Sequence, residues 1–202
     1  LDLLGVKRLE LPTYEADDII GTLARLGEKA DFEKIHIITG DKDLLQMADE
    51  KTTVHITRKG VTDIESFTPE AVFEKYELSP SQIVDLKGLM GDPSDNLPGI
   101  PGVGEKTAIK LLKEYQTVEN LVANTASLKG KMKEKVEANV EQALLCKRMA
   151  TIHTDVPLSV TFDDLLYQGP DVAGLIELFK EMEFNAFLKK MKLQEVKDET
   201  PK

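Results

Sequence analysis

Ile35-His36-Ile37-Ile38-Thr39-Gly40-Asp41-Lys42-Asp43 is the most informative stretch of the chain. A short β-branched run ended by glycine is the pattern of a strand buried in a parallel sheet. The D-x-D pair that follows leaves the carboxyl end of that strand, the edge at which open α/β sheets bind ligands. Upstream, Val6 to Leu11 reads as another β-like run. After Pro12 comes a helical pattern with Ala16, Ile19, Ile20, Leu23 and Leu26 on one face. Downstream, Thr53 to Thr57 and Val61 to Ile64 flank Arg58-Lys59-Gly60 as a hairpin. From Pro69 the pattern turns helical: Pro69 to Tyr76, Ser79 to Met90, Glu105 to Tyr115, Lys131 to Met149 and Asp171 to Met182. Thr151 to Phe162 is expected to hold one more extended segment. The expected class is α/β: a mixed, mainly parallel sheet flanked by helices, followed by a helical lobe.

The chain has 202 residues, 41% of them hydrophobic and 31% charged, which excludes disorder along its whole length. No apolar run approaches the roughly 20 residues of a membrane span, so a soluble chain is expected. The single cysteine, Cys146, excludes an internal disulfide and a cysteine-rich zinc site. His36, His55 and His153 show no partner spacing in the sequence, and no role is assigned to them or to Cys146. Carboxylates are left as the abundant candidate ligands, which points to hard cations bound through oxygen. A net charge of −10 argues against a polyanionic partner until its distribution is read. Residues 1–98 carry 11 Lys/Arg against 20 Asp/Glu, whereas residues 99–150 carry 9 against 6.

Three acidic clusters stand out. Glu15-Ala16-Asp17-Asp18 opens the first helix, where acids also complement the helix dipole. Asp17 would lie about 200° around a helix from Glu15, so a shared metal requires Glu15 to sit before the first turn. Gly40-Asp41-Lys42-Asp43 leaves the strand, with an N-cap role open for Asp41. Gly91-Asp92-Pro93-Ser94-Asp95-Asn96 joins two helical stretches and is equally an ordinary turn composition. Seven carboxylates in one crevice would repel unless divalent cations neutralised them. A fourth stretch, Leu97 to Ala108, runs Pro-Gly-Ile-Pro-Gly-Val-Gly-Glu-Lys-Thr into a helix. Glu105 interrupts any P-loop spacing, and no strand precedes it. A Gly-x-Gly turn before a helix N-terminus suits a phosphate, or serves as a helix connector. The lysines from Lys129 to Lys135 read as a solvated face, and Met90, Met132 and Met149 as core filler.

Taken together, Tyr-Glu-Ala-Asp-Asp, Thr-Gly-Asp-Lys-Asp-Leu-Leu-Gln and Gly-Asp-x-Ser-Asp-Asn-Leu-Pro-Gly-Ile-x-Gly-Val-Gly-Glu-Lys-Thr-Ala resemble the 5′ nuclease domains of bacterial DNA polymerase I type, relatives of the flap endonucleases. The resemblance covers nearly the whole chain in the family's motif order. It implies a helix–hairpin–helix element gripping duplex DNA, and a metal-dependent 5′-3′ exonuclease or flap endonuclease. Glu15, Asp17, Asp18, Asp41, Asp43, Asp92 and Asp95 would hold two divalent cations, normally Mg²⁺ with Mn²⁺ as a substitute. Asp41, Asp43, Asp92 and Asp95 would carry the catalysis. Gly102, Gly104, Lys106, Thr107 and Lys110 would meet DNA, with a monovalent cation at the hairpin in some relatives.

The implied substrates are 5′ flaps and RNA primers on duplex DNA, in bacterial cytoplasm, with polymerase domains in the same parent chain. The family carries further ligands and a helical arch upstream of these motifs, so the chain is expected to be a fragment of weak or no activity. The implied division is an α/β metal-binding core over residues 1–96, incomplete at its start, a helical lobe over 97–193 and a linker or tail over 194–202. A non-catalytic helix–hairpin–helix DNA-binding module and a metal-dependent ribonuclease stay open as alternatives.

Overall fold

A computed structural model describes residues 1–59 and 62–192, without the Lys59 side chain. It divides into two compact units: Thr13–Val156, and Leu1–Pro12 together with the stretch that begins at Pro157. The larger unit opens with α1 (Ala16–Lys29), whose Ile19 and Ala24 are buried. Strand β1 (Ile35–Thr39) follows, then a 3₁₀ turn over Asp43–Met47 that buries Leu44, Leu45 and Met47. Strands β2 (Thr52–Lys59) and β3 (Asp63–Phe67) complete the sheet.

Strand order is β1-β2-β3, with β1 parallel to β2 and β2 antiparallel to β3. The sheet is therefore small and mixed rather than mainly parallel, because a short turn can only return β3 antiparallel to β2. It is also one-sided. Ile37, Val54, Ile56 and Phe67 point into a core shared with Leu44, Leu45 and Val72, while Ile38 on β1 is 67% exposed. The β-like run Val6 to Leu11 forms no strand. Arg8 within it bonds Asp2 at 3.0 Å, and none of the three described strands pairs with it to supply a ladder. Thr151 to Phe162 likewise contains no strand among its described residues.

Helix α2 (Pro69–Tyr76) is capped by Thr68 and starts on a proline whose missing N–H costs nothing there. α3 (Ile83–Met90) and α4 (Glu105–Tyr115) fall where the periodicity places them. α5 (Val118–Ala123) is short and Thr117-capped, which is why periodicity alone passes over it. The Lys131 to Met149 pattern splits into α6 (Gly130–Ala138) and α7 (Val140–Ala150) at Asn139. The Asn139 side chain donates to Lys135 O at 2.8 Å, competing with the backbone ladder and ending the helix. Leu89, Ile100, Ala108, Leu112, Val118, Leu121 and Val136 make the core of this helical region. Within it Lys147 reaches the buried Asp85 at 2.6 Å and Glu119 at 2.7 Å.

In the smaller unit, α8 (Phe162–Leu165), α9 (Val172–Glu181) and α10 (Asn185–Lys190) carry the helical content. Asp171 caps α9 through Gly174 N–H at 3.0 Å, and its own N–H bonds Leu3 O at 2.8 Å. The tail read over 194–202 lies outside the described residues. Among those described, no helix is long and apolar enough to cross a membrane.

Candidate active site

Helix α3 reads Ile83-Val84-Asp85-Leu86-Lys87-Gly88-Leu89-Met90, an apolar segment with two charges. Asp85 is taken up by Lys147. Lys87 organises the acidic site, its side chain only 12% exposed and its ammonium among three carboxylates. It donates to Asp43 Oδ1, lies 2.6 Å from Asp92 Oδ2 and 3.6 Å from Asp95 Oδ2. Asp43, Asp92 and Asp95 each offer an oxygen within 4.8 Å of the others, an arrangement able to hold a cation. Motif reading missed Lys87. The available signal was a lysine in an apolar helix, since an unpaired ammonium would not be buried there.

Asp43 reaches this point because Gly40 ends β1 and Asp41 bends the chain. Asp41 N–H donates to Thr39 Oγ1 at 3.0 Å, and its own Oδ1 accepts Asp43 N–H at 2.9 Å. Asp41 thus closes an Asx turn at the head of the 3₁₀ segment. Asp92 is fixed from the other side by a two-bond bridge with Leu97, each bond 2.8 Å. Gly91 precedes it at φ +77°, with Leu97 O where a Cβ would stand, so only glycine permits the crossing. Burial alone would raise the Asp92 carboxyl. The Lys87 ammonium and the Ser94 N–H, 2.9 Å away, outweigh it and hold Asp92 down to about 2.

Asp17, at the start of α1, is half-buried and pushed up to about 6 by that burial and by Asp41, Glu15, Asp18 and Asp95. The three acidic clusters therefore share one electrostatic neighbourhood. Asp18 already has N–H donors on both oxygens: Glu15 at 3.2 Å and His153 at 2.9 Å. Glu15 is the N-cap, extended and outside the first turn. An open cleft of about 540 Å³ lies beside the site, lined in part by Asp41, Asp43, Lys87, Asp92, Ser94 and Glu105.

The hairpin begins where α3 ends. Ile100 N–H bonds Leu89 O at 2.8 Å, seating the loop against the helix. Gly102 has φ +74° and an exposed backbone, and a Cβ there would collide with the Lys135 ammonium, which donates to Gly102 O at 3.3 Å. Gly104 differs: it is the extended N-cap of α4, with φ −96° and open space where a Cβ would project. Lys106, Thr107 and Lys110 lie on the first turns of α4, both lysines exposed.

Two family models match in tandem: "5'-3' exonuclease, N-terminal resolvase-like domain" over residues 1–77, and "5'-3' exonuclease, C-terminal SAM fold" over residues 78–173. The chain is similar to DNA polymerase I of Bacillus caldotenax, 54% identical over 193 residues, or 95% of the chain and 22% of that protein. It is 55% identical to DNA polymerase I of Bacillus subtilis over 192 residues, with the same coverage of each. The chain thus spans about a fifth of the length of these curated relatives. Among solved structures, the T5 5'-exonuclease with bound zinc matches with a TM-score of 0.64 at 20% identity, over 72% of this chain and 53% of that one. The catalytic core of Rad2 in complex with DNA substrate matches at 0.61 and 16%, over 96% and 65%. At such identities these two likenesses speak for the fold alone.

Proposed function

Because the chain belongs to the 5′-3′ exonuclease family, we propose that it is the nuclease segment of a DNA polymerase I, hydrolysing phosphodiester bonds of 5′ flaps and RNA primers on duplex DNA in the bacterial cytoplasm. The observation that carries this reading is the convergence of Asp43, Asp92 and Asp95 on a single position of positive charge, at the base of a hairpin leaving the same helix.

The donor set fits a hard divalent cation: every ligand is a carboxylate oxygen, and an ammonium already takes the place of positive charge among them. Asp43, Asp92 and Asp95, with Glu15, Asp17, Asp18 and Asp41 beside them, would hold two Mg²⁺ ions, or Mn²⁺ in their place. Bound there, such ions supply a water activated at neutral pH and charge to offset that on the scissile phosphate. The residues of the chain do the positioning. Asp41 sets Asp43 through its turn, and Ser94 sets Asp92. The hairpin N–H groups near Gly102 and Gly104 and the cations Lys106 and Lys110 would take backbone phosphates, as would Thr107, a grip indifferent to base sequence. A monovalent cation at the hairpin carbonyls belongs to the same reading.

The test uses a 5′-labelled flap duplex and the whole polymerase chain that carries these residues. Asp43→Asn and Asp92→Asn each abolish Mg²⁺-dependent cleavage, while duplex affinity changes by less than about threefold. Undiminished cleavage by either variant would refute the assignment.

A further inference from the structure

Two histidines that the acidic site does not use meet on the exposed face of the sheet. His36 Nδ1 and His55 Nε2 are 2.9 Å apart, with ring centroids at 5.1 Å and planes inclined by 32°. Parallel register sets Ile38 opposite His55 and His36 opposite Thr53, so the two rings are diagonal neighbours on one face. Behind them His55 Nδ1 is 2.8 Å from Ser66 Oγ, and Ser66 is the residue paired with His55 across β2 and β3.

This triplet is a relay of hydrogen bonds. Each neutral imidazole has one N–H, so whichever way the donors run, one nitrogen lone pair points into the space between the rings. The other facing nitrogen becomes a lone pair by a tautomer shift within its own ring, without net proton loss. Two imidazoles bound at about 2.05 Å and at right angles around one metal hold their nitrogens about 2.9 Å apart. The observed separation equals that bite; in the hydrogen-bonded pair the rings face one another nearly head-on, so each imidazole turns by about 45° to aim its lone pair at a common centre. Ser66 then fixes the outer nitrogen of His55, the kind of support that metal-bound histidines receive.

We propose that His36 and His55, backed by Ser66, form a site for a borderline transition-metal cation such as Ni²⁺, Cu²⁺ or Zn²⁺, separate from the carboxylates. Imidazole nitrogen favours these ions, whereas Mg²⁺ prefers oxygen, so the two sites take different metals. The square bite suits Ni²⁺ and Cu²⁺ best; Zn²⁺ requires the nitrogens to open toward a tetrahedral angle. Water fills the remaining positions. A bound ion clips β1 to β2 immediately upstream of the turn that carries Asp41 and Asp43.

The test takes the 202-residue chain freed of metal with EDTA, holds excess Mg²⁺ to occupy the carboxylates, and titrates Ni²⁺ by calorimetry and Cu²⁺ by electron paramagnetic resonance. The expected result is one equivalent bound, with Cu²⁺ showing coupling to two nitrogens. His36→Gln and His55→Gln each weaken Ni²⁺ binding by about tenfold or more, and Ser66→Ala by about tenfold. His153→Gln and Asp92→Asn leave it unchanged. A Cu²⁺ spectrum with oxygen ligands only would overturn the proposal on the unmodified chain. So would Ni²⁺ affinity indifferent to His36→Gln, or lost in Asp92→Asn.

Discussion

Lys87 Nζ lies 2.6 Å from Asp92 Oδ2, and the pair joins the last turn of α3 to the loop that the helix feeds. A divalent cation held by these carboxylates would compete with the lysine for them. Lys87→Met leaves Asp43, Asp92 and Asp95 facing one another without a counter-charge. In EDTA the variant should lose about 2 kcal/mol, the scale of a charge-assisted hydrogen bond. In Mn²⁺ the loss should shrink, because the cation takes the vacated place and stabilises only the folded chain. Thermal melts of both proteins with EDTA and with Mn²⁺ check this; an equal Mn²⁺ effect on the two would break the link between Lys87 and the metal position.

Asp17 and Asp92 have opposite pH signatures. The Asp17 carboxyl is raised to about 6, so between its ordinary 3.8 and 6 the folded chain binds the extra proton. Stability contributed by that protonation is present at low pH and lost as pH rises through 6. Asp92, held at about 2, contributes stability that is present above 3.8 and lost as pH falls toward 2. Urea midpoints of Asp17→Asn in EDTA should therefore fall less than those of the unmodified chain between pH 4 and 6, and parallel curves would show that Asp17 titrates normally.

The hairpin glycines separate folding from binding. Gly102→Val forces a β-branched residue to φ +74° against Lys135 and should cost at least about 1–2 kcal/mol. Gly104→Val meets open space at an ordinary φ and should fold nearly normally, yet weaken duplex binding by screening the N–H groups at the start of α4. Lys106→Ala should reduce the slope of log affinity against log salt by about 0.9 if it neutralises one phosphate. Duplex affinity of a folded Gly104→Val protein equal to that of the parent would return this turn to a connector.

Asp85 is 3% exposed and accepts from Val118 N–H at 2.8 Å as well as from Lys147. Burial raises its carboxyl against both partners. Lys147→Met strands it and should cost about 3–5 kcal/mol, whereas replacing both residues with apolar ones should recover part of that. Denaturant unfolding of the single and double variants measures the difference, and additive losses would contradict the coupling.

The strand Ile35–Thr39, the helix Glu105–Tyr115 and the order of the three acidic clusters were legible in the chain, because β-branched runs, helical periodicity and turn residues act locally. Val6 to Leu11 could not be read correctly, since a strand exists only where another strand pairs with it, and the break at Asn139 depends on one side chain's choice of acceptor. The site divides in the same way. Its carboxylates announced themselves by spacing, but Lys87 stands 44 positions from Asp43, and only the fold brings its ammonium to them. The His36–His55 pair likewise required β1 and β2 to come into register. Local sequence determines which elements form and which groups they carry; long-range packing decides which of those groups share a low-dielectric space, where their charges act on one another.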